Sequence, residues 1–187
     1  MKMSPILTSW QDYVNFRRPS KPEGKFSTFY ARYNFASNFS GLQIDGMNPK
    51  TSNVYSAVTK IAFCYSALEH LEFSLAIHRK PEILAPDLAK LIRICMPRGC
   101  SAINERMPLT PNLSLRLEAL FENENLIDVR PVVEQFRHSL FHGKFTPSGW
   151  GLKGGKSSLG MLEGLGQVTL RKADETFTYW FDSQPKN

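Results

Sequence analysis

The residues of this chain best suited to chemistry lie in one short run, Arg137-His138-Ser139-Leu140-Phe141-His142-Gly143. Arginine holds an oxyanion through two parallel N–H bonds, and histidine exchanges a proton near neutral pH. With eleven arginines and four histidines in the chain, about 0.24 arginine–histidine pairs at this spacing are expected by chance. The pair gains meaning from its setting: a polar residue directly after the arginine, apolar Leu140 and Phe141 inside the run, and glycine after the last histidine. His138 and His142, four apart on a helix, also match the geometry of two metal ligands. Zinc requires a third protein ligand, and neither an H-E-x-x-H run nor any other cluster supplies it. No metal and no cofactor is therefore expected. Gly149, Gly154, Gly155, Lys156 and Ser157 approach the phosphate loop G-x-x-x-x-G-K-[ST], but the first required glycine falls on Trp150 and Gly149 is one residue too far.

The elements that must position this run read as helices. Val54, Ala57, Val58, Ile61, Cys64, Tyr65, Leu68, Leu71 and Leu75 recur at spacings of three and four, which predicts a helix from Thr51 to about Arg79. Thr51 or Ser52 is placed to cap its start and Pro81 follows its end. Its apolar arc of about 140° predicts a central place in a bundle. Glu72 projects into that arc, where burial without a partner is costly, so it is expected to meet an arginine or to lie at the bundle's edge. Shorter helices fit Pro86 to Met96 and Leu113 to Glu122. The helix carrying the run spans about Leu126 to Phe141, with Pro131 tolerable only in its first turn and Gly143 placed to end it in a left-handed cap. Eight of the twelve glycines lie between Gly143 and Gly166, which predicts a long flexible loop. Val168 to Phe181 reads as a closing helix, although VTLRK and TFTYWF also pass as strands. Ahead of the bundle, residues 1–49 hold many rings broken by Pro19, Pro22, Gly41, Gly46 and Pro49. They predict one or two short helices and a turn-rich arm that packs its rings onto the core.

Composition bounds the reading. The chain has 187 residues, 42% apolar and 21% charged, which fits one globular domain over 1–187, with no internal repeat or domain-splitting linker. A domain of this size buries about 70% of its unfolded surface and needs no disulfide or metal to fold. Three cysteines without C-x-x-C spacing point to the reducing cytosol. The start MKMSPILTSWQDY lacks a signal-type apolar region, and no stretch approaches the roughly 18 apolar residues of a membrane span. A formal net charge of +6 favours polyanionic partners. Basic residues gather in 1–32 and in 79–116, whereas 117–134 is acidic. Solvated helix faces are the simpler account of each cluster, with a basic footprint for nucleic acid as the alternative.

At Arg137, His138 and His142 the sequence resembles the HEPN family (higher eukaryote and prokaryote nucleotide-binding domains), whose helical bundles carry an R-x(4–6)-H motif, often with Asn, Asp or His after the arginine. The helix at 51–79, with ALEHLEFSL, looks like an earlier bundle helix of that family. The resemblance covers residues 50–182 and is specific only in the motif. Lys144 stands where the toxin subgroup continues into H-x-Y with tyrosine. The resemblance implies an all-α HEPN-like bundle and metal-independent RNA cleavage. His142 would activate the ribose 2′-OH or protonate the leaving 5′-oxygen, Arg137 would grip the phosphate, and His138 would orient it or share the proton transfer. Glu72, Ser139 and Lys144 are the supporting residues. The product would carry a 2′,3′-cyclic phosphate. A toxin or stress effector is the implied role, with an antitoxin or another protein as a possible partner besides RNA.

Helical geometry adds a constraint. With Phe136 at zero, the apolar stripe centres near about 30°, Arg137 at about 100°, Phe141 at about 140°, His138 at about 200° and His142 at about 240°. Both histidines are expected to face away from their own core. Arg137 and His142 diverge by about 140°, so they meet at one phosphate only if the helix ends before His142 or a second subunit supplies one of them. Phe141 between them would be an apolar ring in water. A homodimer with a composite cleft is the expectation. In the alternative reading, Arg137 pairs with Glu72 or Glu134 as a bundle clamp, His142 caps helix carbonyls and His138 is solvated. The protein would then be a non-catalytic dimeric helical adaptor for a protein or nucleotide partner.

Overall fold

The computed structural model describes residues 7–16, 23–99, 103, 110–152 and 155–185. Cys100 and the cluster members Lys2, Arg17, Arg18, Lys21, Glu105 and Arg106 lie outside these residues. The chain is all-α. It runs α1 (Leu7–Phe16), α2 (Gly24–Asn38), α3 (Pro49–Ser74), α4 (Pro86–Cys95), α5 (Pro111–Glu122), α6 (Arg130–Phe141), a 3-10 turn (Ser148–Trp150) and α7 (Lys156–Asp182). No strand occurs among the described residues; Leu84 and Asp128 form an isolated antiparallel bridge. None of these helices is long and apolar enough to cross a membrane.

The central position expected of α3 follows from its wide apolar arc: α2, α6 and α7 all pack on it. Its ends differ from the sequence expectation. Asn48, not Thr51 or Ser52, caps the start, its side chain accepting from the Lys50 N–H at 2.9 Å, with Pro49 in the first turn where its missing N–H costs nothing. The helix stops at Ser74 rather than near Arg79. Ala76 adopts φ +53°, its N–H reaches the Phe73 carbonyl at 3.1 Å and the Ile77 N–H reaches the Glu72 carbonyl at 3.0 Å. This is the left-handed termination usually given to glycine, and Pro81 lies beyond it. A Cβ in that conformation costs about 1 kcal/mol. Ala76→Gly is expected to stabilise the protein by up to about 1 kcal/mol in urea unfolding, and a destabilised variant would contradict this assignment.

The two short helices expected in this segment are α1 and α2, the breakers Pro19, Pro22, Gly41 and Gly46 all falling outside them, and residues 39–48 are the non-helical stretch that follows. The rings of α1 and α2 enter the core as expected. Trp10 stacks on Tyr30 at 4.2 Å, Tyr13 meets Phe177 edge-on at 5.8 Å, and Phe26 stacks on Trp180 at 4.5 Å.

The glycine-rich stretch is not one flexible loop. Gly160, Gly164 and Gly166 lie inside α7, whose stripe Met161, Leu162, Leu165, Leu170, Ala173 and Phe177 is buried and outweighs the poor helix propensity of glycine. A Cβ on Gly164 would lie 2.6 Å from Leu88 Cδ2, so the missing side chain lets α4 approach. The VTLRK and TFTYWF segments are helical. The stretch from His142 to Leu152 folds back on the bundle: Phe145, Trp150 and Leu152 are buried, and Trp150 stacks on Phe136 at 4.5 Å.

Residues 126–129 are not helical. They run beside Ile83–Ala85, with the Ala85 N–H on the Ile127 carbonyl and the Val129 N–H on the Ile83 carbonyl, both at 2.9 Å. The helix therefore begins at Arg130, with Pro131 in its first turn as required. Cys64 is a buried free thiol, pushed up by burial to about 12, and Cys95 is free and half-buried.

Candidate functional site

The site is built where α6 lies along the second half of α3. The two helices run antiparallel, with Tyr65 of α3 meeting Glu134 of α6 and Glu72, further along α3, meeting Arg130 at the α6 start. Arg130, fully buried, grips Glu72 with Nη1 on Oε1 at 2.8 Å and Nη2 on Oε2 at 2.6 Å. Its Nη1 also donates to the Pro81 carbonyl at 2.6 Å, and its Nε to Glu134 at 3.1 Å. Glu72 thus meets an arginine, as its place in the apolar arc demanded, but that arginine is Arg130 and not Arg137. Burial works against the charge of Arg130, and the bonds to Glu72 restore it and push its pKa upward.

Glu134 is the second node. The Tyr65 hydroxyl donates to it at 2.7 Å and Arg116 Nη1 at 3.1 Å, with Lys80 Nζ at 3.7 Å. Burial raises its pKa, but Tyr65, Arg116 and Arg130 outweigh this and hold it below the ordinary 4.5. Burial and then the Glu134 carboxylate push the Tyr65 phenol upward, so Tyr65 stays protonated as the donor.

Beside this network opens a cleft of about 200 Å³ lined by Tyr65, Glu69, Lys80, Thr110, Leu113, Glu134, Gln135, Arg137 and His138. Arg137 Nη2 donates to Glu69 Oε2 at 3.0 Å, each side chain about one-third exposed (32% and 35%). The Arg137 guanidinium also lies over the Phe141 ring, 5.6 Å from its centroid, and Phe141 is 57% exposed. The buried Nε of Arg137 finds no hydrogen-bond acceptor among the described residues. The fork that would grip an oxyanion is thus half used.

His138 lines the cleft and His142 does not; their rings lie 4.4 Å apart at 59°. Burial first, then the neighbouring charges of His142 and Arg137, lower the His138 pKa below 6.5. His138 therefore stays a neutral base further into acid than a free histidine. His142→Ala removes one of these depressing charges, so the His138 pKa should rise in an NMR titration; an unchanged or lower value would show that the two rings are not coupled. The histidines gain no third ligand: no group of three His, Cys, Asp or Glu able to hold a metal forms among the described residues.

The α6 terminus sets this geometry. The helix ends at Phe141, and Gly143 at φ +65° gives the left-handed cap expected of it, its N–H on the Leu140 carbonyl at 3.1 Å and the Lys144 N–H on the Ser139 carbonyl at 2.9 Å. His142 sits at the cap, exposed. Ser139 is buried, its hydroxyl accepting from Gln135 Nε2 at 3.3 Å, and Lys144 is exposed beyond the cap. The structure thus gathers Arg137, His138 and His142 at one end of α6 and leaves Glu72, Ser139 and Lys144 outside the cleft lining.

Glu69 and Arg130 are the residues that sequence reasoning did not assign, and Glu134, expected as a clamp partner of Arg137, is bonded to Arg130, Arg116 and Tyr65 instead. A signal existed: Glu69 and Glu72 are three apart on α3, Arg130 and Arg137 seven apart on α6, spacings that put each pair near one helical face. No protein-family model, curated protein or solved structure matches the chain.

Proposed function

We propose that this protein is a HEPN-like, metal-independent endoribonuclease whose site is the cleft at Arg137 and His138, with His142 alongside. The observation that carries the reading is that Arg137, whose buried Nε–H lacks an acceptor among the described residues, lines the same cleft as His138, whose pKa is lowered. In this reading the scissile phosphate takes the Arg137 fork. His138 accepts the 2′-OH proton, and His142, exposed at the helix cap, gives a proton to the departing 5′-oxygen. The reaction needs only the substrate's own hydroxyl as nucleophile, so DNA resists it. A defined single-stranded RNA in EDTA should yield fragments ending in 2′,3′-cyclic phosphate, with the DNA of the same sequence intact. No RNA cleavage would reject the reading.

The protein acts as a homodimer in this reading, the exposed Phe141 ring supplying an apolar contact beside the site. Sedimentation at micromolar concentration should give twice the chain mass, and a monomer would remove the composite cleft.

Glu69 holds the Arg137 fork in the free protein, so it competes with the phosphate. Glu69→Gln should raise cleavage at sub-saturating RNA by up to about fivefold, because a partly exposed pair contributes at most about 1 kcal/mol. A fall in activity would mean that Glu69 positions Arg137 instead. The same ion pair favours the second reading, a non-catalytic helical adaptor in which Arg137 and Glu69 clamp α6 to α3; cleavage in EDTA separates the two.

A further inference from the structure

We infer that a row of residues between α2 and α3, Phe35 with Phe63 and then Arg32 with Ser66, is the track along which single-stranded RNA reaches the Arg137 cleft; the inference rests on the ribonuclease reading. Three observations meet here. The first is an exposed ring. Among the many rings of the first 40 residues most pack inward, but Phe35 is 58% exposed. It is braced edge-on by Phe63, with centroids 4.7 Å apart at 80°, and Phe63 is braced in turn by Phe39 at 5.3 Å and 75°. A braced ring with an open face is a stacking platform for an unpaired base.

The second is charge. Residues 24–44 contain Lys25 and Arg32 and no carboxylate. Arg32 lies three residues before Phe35 on the same face of α2, and its Nη1 donates to the Ser66 hydroxyl at 3.1 Å. No carboxylate pairs with Arg32 among the described residues, whereas Arg137, Arg130 and Arg116 all have acidic partners. Lys25 is paired with Glu23 at 3.1 Å, so Arg32 is the cation that, beside an exposed ring, complements a polyanion carrying bases.

The third is continuity. Phe63, Ser66 and Glu69 follow one another at three-residue steps along α3, a ridge that rises about 9 Å along the axis and winds about 120° around it, from the α2 side to the partner of Arg137 on α6. That row holds, in order, a stacking ring, an arginine, and the arginine of the cleft. A base stacks on Phe35, the neighbouring phosphate lies at Arg32, and the scissile phosphate reaches Arg137.

The test is binding of a fluorescein-labelled 2′-O-methyl uridine octamer, which lacks the attacking hydroxyl, read by anisotropy. Phe35→Ala should weaken binding about 5- to 100-fold. Phe35→Leu, which keeps an apolar contact with Phe63 but offers no ring face, should weaken it similarly at unchanged melting temperature, while Phe35→Trp should bind at least as well as the wild type. Arg32→Ala should lower the slope of log affinity against log salt by about one. Octamer binding within twofold of wild type in both Phe35→Ala and Phe35→Leu would overturn the track; if Arg137→Ala still weakened it, the ribonuclease reading would stand. Wild-type protein that does not bind the octamer would overturn both. Phe35→Ala converting a dimer to a monomer without affecting binding would make the patch a self-association face and also overturn the track.

Discussion

Glu72→Ala should destabilise the protein by about 3 kcal/mol, the low end of the cost of removing one partner of a buried ion pair, because Glu134 still holds Arg130 through Nε at 3.1 Å. Arg130 is fully buried and Glu72 is 3% exposed, and the guanidinium spans Glu72, Glu134 and the Pro81 carbonyl. Removing the carboxylate takes the two-pronged acceptor from a buried arginine, leaving Glu134 and the Pro81 carbonyl as its partners, and the guanidinium cannot neutralise itself by losing its proton. A urea titration followed by circular dichroism reads the effect as a large fall in the midpoint. The attraction of the pair is largely offset by the cost of drying it, so replacing both partners together, Glu72→Leu with Arg130→Met, should restore most of the stability. A single variant within 1 kcal/mol of wild type would mean that the pair is hydrated in solution.

This pair also marks how far the sequence was legible. A carboxylate in the middle of an apolar arc announces that a cation must come to it, and the arc itself announces a central helix. Which arginine arrives depends on the register of α6 against α3. That register is tertiary: it follows from where α6 begins, and the sequence pattern placed that start at Leu126 instead of Arg130. The four residues in question form bonds to Ile83 and Ala85 that no local periodicity records. The end of α3 was misplaced for a related reason, since Pro81 is an evident stop whereas alanine at φ +53° carries no signature. In α7 the glycines hid a three- and four-residue apolar spacing that was present throughout. Of the site, the run Arg137 to His142 was legible from residue types and its glycine cap, and so was the outward turn of His142. The cleft was not, because Tyr65, Glu69 and Lys80 come to it from α3 and the segment after it.

Arg137→Ala should lower RNA cleavage by about 10²–10³-fold, the range for deleting one oxyanion-stabilising donor, while leaving stability within about 1 kcal/mol. The second expectation follows from the partial exposure of the Arg137–Glu69 pair. Two ion pairs join the same pair of helices, one fully buried at Arg130–Glu72 and the other about one-third exposed at Arg137–Glu69. A variant that loses cleavage only because it unfolds would behave like Glu72→Ala, and melting curves distinguish them. His138→Ala should cost about 10²–10⁴-fold, the range for a general acid or base.

The most direct measurement is the rate of cleavage of a single-stranded RNA in EDTA by purified wild type, Arg137→Ala and His138→Ala, each with its melting temperature. The account predicts cleavage by the wild type and at least a hundredfold loss in both variants, with melting nearly unchanged. Cleavage at the wild-type rate in either folded variant would contradict it.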